Sequence, residues 1–273
     1  MRIPVGDRSL NAEYFDGGDL TIIIEVGSTM PGTADPGWEP VVKKLEREMT
    51  VLLYDRAGLG KSDLAPRPRT LANFTHDLRT VLADLAPQPP FVLVGASFGG
   101  MIITDYASRY PVDVAGVLLL DSTHPTHNAR SLPLLPAQWR DEPPSLTTFR
   151  RQMWLEDHAP LETDEWEGLD TADAMERAKT WNLHDIPLVV LTAGQNDWEP
   201  DFPIGVAKRY EQEWLEMQRE YAALSTRSFH RIVSDSDHNI HERRPDLVIA
   251  AVRALMYDTS LTAIDERPGL RCP

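Results

Sequence analysis

Short apolar runs alternate along this chain with longer segments in which apolar residues recur every three or four positions. The runs Leu20 to Val26, Thr50 to Tyr54, Phe91 to Val94, Gly116 to Leu120, Pro187 to Leu191 and Phe229 to Val233 are rich in Val, Ile and Leu. They lack a polar residue at every second position, which suits strands buried on both faces of a parallel sheet. The stretch Arg2 to Phe15 reads as a leading antiparallel hairpin. Leu71, Phe74, Leu78, Val81, Leu82 and Leu85 share one helical face, and Pro87 to Pro90 end that segment. A second helix is expected from Gly99 to about Tyr110, stopped by Pro111. A third follows Pro245 and carries Leu247, Val248, Ala251, Leu255 and Met256. Alternating strands and helices predict an α/β architecture, a mostly parallel central sheet flanked by helices.

One region breaks the rhythm. Between Asp121 and Ile186 no strand pattern occurs, prolines are frequent, and four tryptophans fall at 139, 154, 166 and 181. The pattern predicts a helical insertion over the sheet. The core then has two parts, residues 1–121 and 186–273, with the insertion at 122–185 between them. A length of 273 residues fits one α/β domain of this kind.

Composition narrows the partners. With 42% hydrophobic and 25% charged residues the chain is ordinary globular material. A formal charge of −15 sets up a field that repels polyanions, so nucleic acid and anionic membrane are excluded as expected partners. Cys272 is the only cysteine, which rules out an intrachain disulfide and a thiolate metal site. The start Met1-Arg2-Ile3-Pro4-Val5 has no apolar leader, and no apolar run reaches about 18 residues, so a cytoplasmic protein is expected. His76, His124, His127, His158, His184 and His230 show no ligand spacing such as H-E-x-x-H. No metal and no cofactor are expected.

The most informative run is Phe91-Val92-Leu93-Val94-Gly95-Ala96-Ser97-Phe98-Gly99-Gly100. A strand leads into Gly95-x-Ser97-x-Gly99 and a helix follows at once, the context of a nucleophile elbow. There a strained turn holds the serine hydroxyl above the sheet, and flanking glycines let strand and helix approach closely. The helix N-terminus adds backbone N–H groups and partial positive charge beside a developing oxyanion.

On this run the chain resembles the α/β-hydrolase family. Tyr54-Asp55-Arg56-Ala57-Gly58-Leu59-Gly60-Lys61-Ser62, Ala115 to Asp121 and Asp237-His238-Asn239-Ile240-His241 resemble other segments of that family. The resemblance implies a Ser, Asp, His triad in that chain order. Ser97 is the nucleophile and His238 the base, with His241 as the rival base. Asp197, in Thr192-Ala193-Gly194-Gln195-Asn196-Asp197, is the expected acid, with Asp121 at the end of the preceding strand as competitor. The expected oxyanion donors are the N–H groups of Phe98 and Ser28. The family's usual His-Gly pair in the first loop is replaced here by Val26-Gly27. Residues 122–185 become a lid, and Trp139, Trp154, Trp181, Trp198 and His124 are candidates to wall an apolar or aromatic acyl pocket. Phe149 and Trp166 are further candidates, and His127 leaves the sheet beside the same mouth.

A serine at the elbow excludes the chemistry of epoxide hydrolases and haloalkane dehalogenases, which the resemblance ties to a carboxylate there. The expected activity is cleavage of a carboxylic ester or related acyl compound through an acyl-serine. An acyltransferase or thioesterase drawing on an acyl carrier would use the same residues. A non-catalytic small-molecule receptor on the same scaffold is the third reading.

Overall fold

A computed structural model describes residues 1–85 and 88–257; Pro87 and Cys272, singled out above, lie outside the described residues. The strands are β1 (Arg2–Val5), β2 (Arg8–Phe15), β3 (Thr21–Glu25), β4 (Thr50–Tyr54), β5 (Phe91–Ala96), β6 (Val114–Leu120), β7 (Leu188–Ala193) and β8 (Ser228–Val233). They form one sheet in the order β1-β2-β4-β3-β5-β6-β7-β8. The leading hairpin is antiparallel, β2 joins β4 antiparallel, and every pair from β4 to β8 is parallel. Each predicted strand is present, with ends shifted by at most two residues at the positions above.

Helices cover both faces: α1 (Glu39–Leu45), α2 (Leu71–Leu85), α3 (Phe98–Arg109), α4 (His127–Ser131), α5 (Pro144–His158), α6 (Thr171–Ala178), α7 (Ile204–Ala222), α8 (Ile240–Arg243) and α9 (Pro245–Met256). Strand β5 shows how the sheet divides the core. Phe91 and Leu93 point into a cluster with Phe74 of α2 and Ile102 of α3. Val92, Val94 and Ala96 point the other way, onto Val248 and Ala251 of α9. This two-residue alternation is the pleat itself, apolar on both sides because both sides are covered. The segment 122–185 carries α4, α5 and α6 and no strand longer than an isolated bridge among the described residues.

After β3 the chain moves to β4 on one side, while β5 and its successors lie on the other. The reversal opens a crevice at the carboxyl ends of β3 and β5, where open α/β sheets place their ligands. Close approach there depends on glycine. A Cβ at Gly99 would meet the backbone oxygens of Glu25 and Val26 at 2.1 and 2.6 Å. Helix α3 therefore seats directly against the end of β3.

A buried charge cluster ties this crevice together. Arg56, following β4, is 2% exposed. It donates to Glu25 Oε1 at 2.7 Å, to the carbonyls of Val26 at 2.8 Å and Gly27 at 2.5 Å, and to Glu167 Oε1 at 2.5 Å. Glu167 lies in a single turn, Glu165–Gly168, of the inserted segment. One guanidinium thus fastens β3, its following loop and the insertion. Burial pushes Glu25 above the ordinary glutamate range even with Arg56 beside it.

Removing a single member of such a cluster leaves uncompensated buried charge. Arg56→Met is expected to lower stability at pH 7.5 by about 3–5 kcal/mol in urea denaturation. The orphaned carboxylates regain neutrality on protonation, so the deficit should shrink as pH falls toward about 4.5, near the unfolded glutamate value. A deficit that is absent, or that grows on acidification, contradicts this account of the cluster.

Candidate active site

Ser97 sits between β5 and α3 at φ 50°, ψ −121°. That conformation is sparsely populated for any residue with a side chain and persists only where the surroundings enforce it. Here they do. Ser97 N–H donates to Leu120 O at 3.0 Å, its carbonyl accepts from Thr123 N–H at 3.0 Å, and its Oγ lies 3.3 Å from Thr123 Oγ1. Gly27 passes beside it: a Cβ added there would lie 3.6 Å from Ser97 Cβ. The loop after β3 therefore runs alongside the serine, with Ser28 next in line and Phe98 opening α3.

His238 follows β8 and is about half exposed, at 49% of its side chain. Its Nδ1 lies 2.7 Å from Asp121 Oδ2. Burial opposes the protonated ring, but the hydrogen bond and charge of Asp121 outweigh it, with lesser help from Asp237 and Glu165. The ring therefore titrates above the ordinary histidine value. His241, the rival, turns away: it is buried, stacked on Trp38 with ring centroids 4.4 Å apart, and burial lowers it to about 4.

Asp121, and not Asp197, is the carboxylate that holds His238. Asp121 leaves β6 at φ 42° and is 4% exposed. Besides His238 it accepts the Ala193 N–H at 3.0 Å and the Trp214 Nε1–H at 2.8 Å, both on Oδ1. A carboxylate held by three donors in a dry site has a fixed direction. Asp197 is exposed on the loop after β7, at the rim of the same cavity. The physical reason is reach: Asp121, at the carboxyl end of β6, lies within 2.7 Å of the imidazole, whereas Asp197 is exposed on the loop after β7.

Helix α7, absent from the predicted helices, supplies the framework. Trp214 holds Asp121, Gln218 Nε2 donates to Ser122 O at 2.8 Å, and Tyr221 Oη donates to Thr123 O at 2.7 Å. One further turn back, Tyr210 Oη lies 2.6 Å from His127 Nε2. The spacing 210, 214, 218, 221 puts all four on one face of the helix. Three consecutive residues after β6 are thereby pinned by three consecutive turns. The sequence carried this signal as a stripe of aromatic and amide side chains at helical period.

The cavity over Ser97 and His238 encloses about 330 Å³. Its wall departs from the expected set. Trp198 lines it, together with Trp166, Tyr210 and Trp214. Trp139 and Trp154 are exposed, at 44% and 49%, and Trp154 stacks on His158 instead. Trp181 is core: its Nε1–H donates to Asp105 at 3.1 Å. With His124 it borders a second cavity of about 510 Å³, and burial lowers His124 to about 4. Trp154 lies in α5, whereas Trp139 and Trp181 lie in segments outside the helices, and packing alone decides which way each ring turns. No aliphatic side chain among the described residues lines the first cavity, so of the expected apolar or aromatic pocket the wall carries the aromatic part, joined by carboxylates. Burial raises Glu156 to about 7 and lowers His127 to about 3, both in its wall.

One group among the described residues, Asp35, His241 and Glu242, brings three ligand atoms within 4.8 Å of one another. None of the three lines the cavity. No helix among the described residues is long and apolar enough to cross a membrane.

Residues 30–251 match the model of the alpha/beta hydrolase family. The uncharacterized protein YqjL of Bacillus subtilis (strain 168) is 26% identical over 256 residues, 92% of this chain and 87% of that protein. The enol-lactonase from Burkholderia xenovorans LB400 superposes with a TM-score of 0.64 at 19% identity, over 94% of this chain and 100% of that one. Est1E from Butyrivibrio proteoclasticus, solved with ferulic acid, gives 0.65 at 17% identity, over 95% and 98%. At such identities these structures speak for the fold. The chain belongs to the alpha/beta hydrolase family.

The pairing of Asp121 with His238 is open to direct measurement. In an NMR titration, His238 should show a pKa above about 6.5, the ordinary histidine value. Asp121→Asn removes the charge and leaves the burial, so the value should fall below that of the unaltered protein. Asp197→Asn should leave it nearly unchanged, and the opposite ranking would restore Asp197 as the partner.

Proposed function

We propose that this alpha/beta hydrolase cleaves a small carboxylic ester or thioester through a covalent acyl-serine. The observation that carries the reading is Ser97 at positive φ between β5 and α3, sharing one cavity with a His238 whose Nδ1 is held by Asp121. A serine hydroxyl is a weak nucleophile until a positioned base takes its proton, and the base needs a partner to fix its tautomer. Asp121 holds Nδ1–H, which leaves Nε2 as the basic nitrogen. As Ser97 Oγ bonds to the substrate carbonyl carbon, its proton passes to His238 Nε2, and the carbonyl oxygen takes up the negative charge.

That oxygen requires donors that are in place beforehand. Phe98 N–H, at the first turn of α3, is one. The loop after β3 supplies the other. Thr29 N–H is committed to Glu167 Oε1 at 3.2 Å, and Gly27 stands against Ser97, so Ser28 N–H is the donor we assign. Arg56 sets this loop by holding the carbonyls of Val26 and Gly27. The intermediate then collapses, the C–O or C–S bond breaks, and the leaving group takes its proton from His238. Water, deprotonated by the same imidazole, attacks the acyl-serine and returns the enzyme. The half-exposed His238 favours water as acceptor over an acyltransferase's second substrate. Residues 122–185 act as the lid, reaching the site through His127, Glu156, Glu165 and Trp166.

Ser97→Ala should reduce turnover of p-nitrophenyl esters by about 10⁶, as removal of other triad serines does. A variant that keeps a tenth of the activity removes Ser97 from the chemistry. Asp121→Asn should cost up to about 10⁴ in kcat, and Asp197→Asn less than about tenfold.

The pH profile follows from the raised His238 value. Only the neutral imidazole accepts the serine proton, so kcat/KM should fall as pH drops through the raised pKa, with a midpoint above about 6.5. A profile level down to about pH 5 contradicts a histidine base.

A further inference from the structure

We propose that the substrate carries a cationic alkylammonium group, seated between the aromatic wall of the cavity and Glu165. This rests on the acyl-serine reading above, since it names the substrate class of that same site.

Among the described residues, the cavity holding Ser97 is lined by four carboxylates, Asp121, Glu156, Glu165 and Asp197, and by no lysine or arginine. One of them is already matched: Asp121 faces His238. Glu156 is pushed up by burial to about 7 and is held by the amides of Asn128 at 2.8 Å and Gln152 at 3.0 Å, so its carboxylate already has donors of its own. Glu165 differs from both. Its Oε1 accepts the Ser28 hydroxyl at 2.6 Å, which places its charge beside the loop that flanks Ser97, and that charge also acts on His238. An acyl substrate bound at Ser97 therefore lies close to the Glu165 carboxylate, with no lysine or arginine among the described residues lining the same cavity.

The rest of the wall is aromatic. Trp198, Tyr210 and Trp214 interlock, with Tyr210 stacked on Trp214 at 6.2 Å and edge-on to Trp198 at 5.2 Å. Their polar atoms are engaged elsewhere: Trp198 Nε1–H with Glu211 at 2.6 Å, and Trp214 Nε1–H with Asp121. What these rings offer a ligand is the π surface not already taken up, since Trp198 also stacks on Phe202 at 4.5 Å. Faces of this kind attract cations, most strongly where water is excluded. An aliphatic acyl chain would find no aliphatic partner here, and an anionic one would meet like charge. A volume of about 330 Å³ is at the small end of ligand pockets, so the substrate is compact.

Two isosteric pairs test this without knowledge of the natural substrate. Acetylthiocholine and S-(3,3-dimethylbutyl) thioacetate differ only by nitrogen for carbon in the leaving group. The p-nitrophenyl esters of 4-(trimethylammonio)butyrate and 5,5-dimethylhexanoate make the same exchange in the acyl group. In at least one pair kcat/KM should favour the cation by about tenfold at low ionic strength, about 1.4 kcal/mol. The ratio should fall as salt is added. Glu165→Gln keeps an acceptor for Ser28 and removes the charge, so it should bring the ratio toward one. Equal or greater turnover of the neutral partner in both pairs overturns the inference while leaving the acyl-serine reading intact.

Calorimetry on Ser97→Ala separates the two claims. Choline should bind at least about tenfold more tightly than 3,3-dimethylbutan-1-ol. That preference without turnover of any of the four compounds would support the cation site and contradict the acyl-serine reading; no preference would count against the cation site itself.

Discussion

A carboxylate taken out of water at the end of β6 has to find donors for its oxygens, and most of the site's geometry follows from how Asp121 finds them. It draws on three separate elements: the backbone of β7 through Ala193, helix α7 through Trp214, and the loop after β8 through His238. Each donor is fixed by its own element, so the carboxylate registers them against one another. The imidazole is set in direction by an anion that is set in turn by an indole and an amide. The left-handed backbone of Asp121 and of Ser97 is the strain this arrangement retains, and neighbouring hydrogen bonds hold it there.

The insertion and α7, packed against each other through His127 and Tyr210, act together on the same cavity. Glu167 and Glu165, two residues apart, reach Arg56 and Ser28 and fix the loop after β3. Helix α7 clamps residues 121 to 123 and brings Tyr210 and Trp214 to the cavity wall. Of the cavity's carboxylates, Glu156 and Glu165 come from the insertion and Asp121 and Asp197 follow strands of the sheet, and no arginine or lysine among the described residues accompanies them along the wall. A cationic substrate is the reading that gives this charge a purpose.

Much of the architecture is legible in the sequence because it rests on short-range pattern. Unalternated Val, Ile and Leu runs mark β3 to β7, and Gly95-x-Ser97-x-Gly99 between a strand and a helix marks the elbow. What escapes is set by contacts far apart in the chain. Asp121 and Asp197 both follow strands that end at the same edge of the sheet, and local pattern favours the latter. Only Trp214, 93 residues beyond Asp121, and the direction of the Asp197 loop decide between them. Trp139, Trp154 and Trp181 are equally plausible wall residues on sequence alone, since aromatic content says nothing of which ring turns inward. The stripe Tyr210, Trp214, Gln218 and Tyr221 was readable as a helix face, but its polar atoms acquire meaning only once β6 lies beneath it.

The central claim is that Ser97 is an activated nucleophile, with its base and its oxyanion donors already in place. Reaction of the folded protein with an alkyl fluorophosphonate at neutral pH, followed by intact-protein and peptide mass spectrometry, tests all three parts at once. The hydroxyl must attack a tetrahedral phosphorus, lose its proton to His238 and place an anionic oxygen on the donors. One adduct per chain, on the peptide containing Ser97 and slowed markedly by Asp121→Asn but not by Asp197→Asn, is the result expected. Labelling at another residue, or none in folded protein, contradicts the account.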